Sequence, residues 1–113
     1  MAQTQNLTYS RNTTYSMTIN YSNSNGVAGT KAMFTIKPTQ YDSNTTDTSA
    51  ILQKDVTLTA NTGTLTINPS DIADTVAPGQ YFYDIKVLDA SGAIYQIAQG
   101  IFTLTAWPTN RET

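Results

Sequence analysis

Few residues in this chain could do covalent or acid–base chemistry. Among 113 residues there is no histidine and no cysteine, so no imidazole base, no thiolate nucleophile and neither of the usual zinc ligands is present. Ser, Thr, Tyr, Lys and Asp remain, with one glutamate at Glu112. Asp71 and Asp74 stand three apart on a segment read below as a helical turn, where two carboxylates could share a face and divide acid from base work. A glycan hydrolase is the enzyme such a pair would suit. Acids in a first helical turn are equally explained by the helix dipole, and that structural explanation takes precedence. Asp84 lies between Tyr83 and Ile85 in a strand pattern, which turns it away from Tyr83, sets Lys86 apart from it and assigns it to a cross-strand hydrogen bond. Asp42, Asn44 and Asp47 are closely spaced oxygen donors of the kind calcium uses, but the glycine and terminal glutamate of an EF-hand loop are missing. No enzyme, no metal and no cofactor is therefore expected.

The residues left for function are those that bind. Six Lys and Arg against eight Asp and Glu give a net charge of -2, and the cations are scattered, so there is no basic footprint for nucleic acid. The apolar stretches are far shorter than a membrane span, and Met1 to Asn6 has neither the charged nor the apolar region of a signal peptide. The triplets starting at Asn6, Asn12, Asn20 and Asn44 match the glycosylation pattern but read as chance in a chain so rich in Asn and Thr. Tyr9, Tyr15, Tyr21, Tyr41, Tyr81, Tyr83 and Tyr95 cannot all be core, and exposed rings anchor interfaces. Trp107 follows the last strand pattern and precedes a polar tail, so it either closes the base of the fold or docks on a partner. Tyr41 and Asp42, in the longest polar loop (39–49), join Trp107 and Arg111 as candidate partner-binding residues.

These side chains must be positioned by strands. Threonine is about one residue in five, while Lys, Leu and Glu are few, which favours an all-β domain. Alternation of apolar and polar residues recurs along the chain. Tyr15, Met17, Ile19 and Tyr21 form one strand, stopped by a turn at 22–26 whose Asn25-Gly26 suits positive φ. Ala32, Phe34 and Ile36 form another, ended by Pro38. Val56 and Leu58 share a face, and Asn61-Thr62-Gly63 is expected to turn a hairpin into Leu65 and Ile67. Asn68-Pro69-Ser70-Asp71 carries the signals of a helix start, so 69–74 is expected to be one helical turn with Ile72 facing inward. Tyr81, Tyr83, Ile85 and Val87 give the strongest alternation, closed by a turn at Asp89-Ala90-Ser91-Gly92. The last strand runs from Ala93 to about Thr105 with a bulge or bend expected at Gly100.

Seven or eight short strands with a turn every eight to twelve residues predict one domain over 1–113, an immunoglobulin-like antiparallel β-sandwich. Its core is expected to draw on Met17, Ile19, Phe34, Ile36, Leu65, Ile67, Ile72, Tyr81, Tyr83, Ile85 and Val87. Gly79-Gln80-Tyr81-Phe82-Tyr83 resembles the tyrosine corner of immunoglobulin and fibronectin type III domains, with Tyr83 where antibody domains hold cysteine. The Cys and Trp framework of antibodies is absent, so the likeness is to the architecture.

The run Pro78-Gly79-Gln80-Tyr81-Phe82-Tyr83-Asp84-Ile85, then Gly92, then Gly100-Ile101-Phe102-Thr103-Leu104, with Thr109-Asn110-Arg111 beyond it, resembles small β-sandwich virion proteins of tailed bacteriophages. That resemblance implies a virion structural protein made in the host cytoplasm. A capsid decoration or cement protein bound to the major capsid protein is the leading expectation, and a baseplate, tail or fibre module is the alternative. A carbohydrate-binding module is a further reading. Self-association is among the expected partnerships. Segments 1–6 and 107–113 are expected as terminal arms, with Trp107 anchoring the second and Arg111 pairing with an acidic or carbonyl group on the partner.

Overall fold

The computed structural model describes residues 3–22, 26–40, 47–73 and 75–106. Strands dominate because Thr, Tyr, Val and Ile fill the alternating positions, and each buries one face. In chain order they are β1 (Gln3–Thr4), β2 (Leu7–Ser10), β3 (Tyr15–Asn20), β4 (Gly29–Lys37), β5 (Leu52–Thr57), β6 (Thr62–Ile67), β7 (Gly79–Asp89) and β8 (Ile94–Thr105). A six-stranded sheet has the order β1-β8-β7-β4-β5, with β2 also pairing with β8, and a two-stranded sheet joins β3 to β6. The pairs are antiparallel except that β1 and β2 run parallel to β8. This is an immunoglobulin-like β-sandwich.

The core lies between the sheets. Phe34, Ile36, Leu65, Ile67, Ile85, Val87, Phe102 and Leu104 are fully buried, and Ile19, Ile72 and Tyr83 join them. Met17 and Tyr81 pack at its edge. Ring pairs Phe34–Tyr83 and Tyr9–Phe102 have centroids 5.7 and 6.1 Å apart, spacings at which aromatic side chains attract beyond simple burial. The tyrosine corner forms as the sequence suggests: the Tyr81 hydroxyl donates to the Ala77 carbonyl four residues upstream. Burial raises the Tyr9 and Tyr83 phenols above their ordinary value, and at Tyr9 hydrogen bonding to Thr13 partly opposes it.

Four local expectations need correction. The 69–74 segment forms no helix among its described residues. Asp71 N–H donates to Asn68 O (3.0 Å) and Asn68 N–H donates to the Asp71 carboxylate (2.6 Å), closing a tight turn that Pro69 enters and Arg11 then holds. Arg11 donates to Ala73 O (3.0 Å) and to Val76 O, pulling the chain across the base of the sandwich instead of letting it coil. Ile72 does face inward, at 2% exposure.

The hairpin expected at 61–63 turns earlier, at Ala60 and Asn61, both at positive φ. The Thr59–Thr62 bridge is the only backbone pairing between its arms, because β5 then pairs with β4 and β6 with β3. Gly63 serves contact, not turning: a Cβ there would meet Val56 Cγ1 at 2.6 Å and Thr57 O at 2.9 Å.

The bulge in β8 falls at Ile97, between the pairs Ile85–Ala98 and Lys86–Gln96. Gly100 lies within continuous pairing and has a different task. A Cβ at Gly100 would sit 2.1 Å from Gln5 O, so the glycine lets the N-terminal strand cross. Residues 3–6 are accordingly built into the sheet and do not form a free arm: Gln3 and Thr4 pair with Ala98 and Gln99, Gln5 O accepts the Tyr83 hydroxyl, and Asn6 Oδ1 accepts Ile101 N–H at 3.1 Å.

Candidate functional site

The acids bound what chemistry is available. Asp71 sits 2.6 Å from Lys54 Nζ, and Lys54 also donates to Thr66 O at 2.8 Å. Burial works against ionisation of Asp71, but the Asn68 N–H and the Lys54 ammonium outweigh it and lower the carboxyl below its ordinary value. Asp74 lies outside the described residues, so the pairing of these two acids is untouched by the geometry. Asp89 closes the β7–β8 turn: its Oδ1 accepts from Ser91 Oγ (2.7 Å), Ser91 N–H (2.9 Å) and Ala93 N–H (2.9 Å). The Ser91 hydroxyl and these amides, against the opposing effect of burial, lower its carboxyl as well. A general acid needs a raised carboxyl, and both of these are held ionised. Asp47 pairs with Lys37 Nζ at 2.8 Å, and no cluster of metal-ligating side chains occurs among the described residues. Asp42 and Asn44 lie outside them.

Of the candidate partner-binding residues, Trp107, Arg111, Tyr41 and Asp42 all lie outside the described residues. What the structure brings together is a surface that none of them marks: the outer face of β4, β7 and β8. Because strand side chains alternate, one register step places a row of residues across all three strands. Met33 lies opposite Lys86, which lies opposite Gln96. Thr35, Asp84 and Gln99 form the next row, continued by Thr4 on β1. Lys37, Phe82 and Ile101 form the third.

Together with Asn6, Thr39, Gln40 and Asp47, these rows line a groove of about 850 Å³. At its centre Gln96 Nε2 donates to Asp84 Oδ2 at 3.1 Å, the cross-strand bond expected for Asp84. Lys86 shares this face, 4.0 Å from the same oxygen, contrary to the sequence reading, because residues two apart on a strand point the same way. Half-buried Met33, Phe82 and Ile101 flank the polar centre. Their signal was present in the sequence as large apolar residues at positions where alternation calls for polar ones. The arrangement can bind a ligand or a partner.

The comparisons with known proteins give fold likenesses only. No family model matches the chain, and no curated protein matches it. Among solved structures it is similar to CopC from Methylosinus trichosporium OB3b, at 17% identity over 74% of this chain and 84% of that one, with a TM-score of 0.38. It is also similar to murine CRIg, at 12% identity over 91% of this chain and 92% of that one, with a TM-score of 0.43. At such scores neither informs function. Among the described residues no helix is long and apolar enough to cross a membrane.

Proposed function

We propose that this chain is a non-enzymatic structural module of a bacteriophage virion, a decoration or cement protein that binds the major capsid protein on the head surface. The observation that carries the reading is the outer face of β4, β7 and β8, where Met33, Phe82 and Ile101 interrupt an otherwise Thr-, Gln- and Lys-bearing surface. Apolar anchors inside a polar surround are the composition of a protein interface. The resemblance of 78–104 to small virion proteins of tailed phages supports the setting, and the structural engagement of Asp71 and Asp89 supports the non-enzymatic part.

The experiment is localisation on particles by subtomogram averaging, with Phe82→Glu as a paired variant. Density on the head, lost when the variant replaces the wild type, is the expected result. Density on the tail would instead establish the baseplate, tail or fibre reading, and absence from virions would end the assignment. One observation favours a carbohydrate-binding reading: the Phe82 ring lines the same groove as the polar groups of Asp84, Gln96 and Gln99. Glycan-array binding lost on Phe82→Ala would replace the virion proposal with that one.

A further inference from the structure

The smaller sheet is narrower than the layer it faces. Tyr21 N–H donates to Asn61 O at 2.9 Å, in register with the pairs from Tyr15–Ile67 to Asn20–Thr62. Hydrogen-bonded and non-bonded pairs alternate along an antiparallel ladder, so Tyr15, Met17, Ile19 and Tyr21 direct their backbone groups at β6. The N–H and C=O of Ser16, Thr18 and Asn20 therefore point the other way, where no described strand pairs with β3.

Below that edge the large sheet continues. Lys54 and Gly63 bring β6 against β5, which leaves β3 on the β7–β8 side, with Tyr21 and Val87 both packed at Gly29. The lower part of the overhang is covered, since Leu7, Tyr9, Phe102 and Leu104 are buried. Among the described residues the upper part is open. Tyr95 pairs with the fully buried Val87 yet is 40% exposed, and Ile97, Ala98, Tyr15 and Met17 are only partly buried against the core.

We propose that this cleft is a strand-acceptor site that takes one extended segment of a partner protein, uncharged and with apolar residues at every second position. Backbone groups of Ser16, Thr18 and Asn20 would hold the segment, and its apolar side chains would cover Tyr95, Ile97 and Met17, the strand-addition mode of recognition. The edge and floor select this occupant: none of their residues is charged, so the complementary segment is neutral, and their apolar side chains call for apolar residues on the face it turns inward. The opposite side of the sandwich is closed to such addition by the inward-pointing Lys54, a known device for guarding sheet edges. The site does not depend on the virion reading, because any assembly can supply such a strand.

The test uses the whole chain and a synthetic peptide of alternating Val and Thr with a lysine at each end for solubility, followed by amide exchange and NMR titration. Expected is saturable binding that protects the Ser16, Thr18 and Asn20 amides, which exchange freely in the unliganded protein. Thr18→Pro removes a donor that points away from β6, a position where edge strands tolerate proline, and Tyr95→Lys places a charge on the floor. Each should weaken binding at least tenfold while leaving the circular dichroism spectrum and thermal midpoint near wild type. Protection of the three amides without peptide would mean that the chain covers its own edge and would overturn the proposal. So would protein self-association that disappears on removal of residues 107–113, no peptide binding, or equal binding by both well-folded variants.

Discussion

Replacing Gly100 by alanine tests how the N-terminal strand is attached. Gly100 pairs with Tyr83, and its backbone is not in the left-handed region, so the substitution carries no conformational strain of its own. The damage is steric. The new methyl would lie 2.1 Å from Gln5 O and 2.8 Å from the Gln5 carbonyl carbon, both backbone atoms that no rotamer change can move. The strand must retreat by about 1 Å to reach ordinary contact, enough to disrupt the hydrogen bonds beside it. Those are the Tyr83 hydroxyl to Gln5 O, Ile101 N–H to Asn6 Oδ1 and Gln5 N–H to Gln99 O. A typical bond is worth about 1 kcal/mol net, and a buried hydroxyl left without an acceptor costs up to about 3 kcal/mol. The expected loss is therefore about 2–4 kcal/mol, or a fall in Tm of roughly 8–16 °C for a domain of this size. Urea and thermal unfolding would measure it. The decisive comparison repeats the substitution in a chain lacking residues 1–5, where the backbone clash with Gln5 is gone, only the movable Asn6 side chain remains near the methyl, and the cost should fall below about 0.5 kcal/mol. An equal cost in both backgrounds, or a full-length variant as stable as wild type, would refute the account.

Other consequences follow from the same contacts. Arg11→Met should destabilise by about 2–3 kcal/mol in urea unfolding, because the carbonyls of Ala73 and Val76 lose their donor, and Arg11→Lys should recover only part of this, since one ammonium nitrogen does not reproduce the planar fork whose two nitrogens each reach one carbonyl. The lowered carboxyls of Asp71 and Asp89 contribute stability that is present above the unfolded carboxyl value of about 3.9 and is lost as pH falls through their lower folded values. Asp71→Asn should therefore flatten the acid limb of the stability curve, read from urea midpoints across pH. For the raised phenols of Tyr9 and Tyr83 the sign reverses: stability is present below the unfolded value of about 10 and is lost as pH rises through the folded values. Phenolate absorbance should show these two rings ionising last and together with alkaline unfolding, and Tyr9→Phe should reduce the alkaline loss.

Much of the fold is legible because it depends on period. A strand with one buried face shows the alternation of Tyr81, Tyr83, Ile85 and Val87 in the sequence itself, and all eleven side chains expected in the core lie in it or at its edge. The tyrosine corner is legible for a similar reason, its donor and acceptor being four residues apart. The outer face was half legible: Met33, Phe82 and Ile101 are visible as exceptions to the alternation, but nothing local says that one transverse surface gathers them.

What the sequence determined by itself was thus the class, the strand positions from β3 onward and part of the inward set, since propensity and periodicity act over a few residues; β1, β2 and the buried Leu7, Tyr9, Phe102 and Leu104 were not read from it. Tertiary structure decided which strands pair and what the exceptions are for. Residues 52–67 read as one hairpin, yet β5 and β6 part into different sheets because each finds a better partner far along the chain. Gly100 reads as a bend, but its need for space comes from Gln5, which no local pattern connects to it. Asp71 reads as an acid in the first turn of a helix and instead closes a tight turn and pairs with Lys54, seventeen positions earlier in the chain. Contacts of that kind are set when the sheets pack, and a one-dimensional pattern does not encode the distance between residues so far apart.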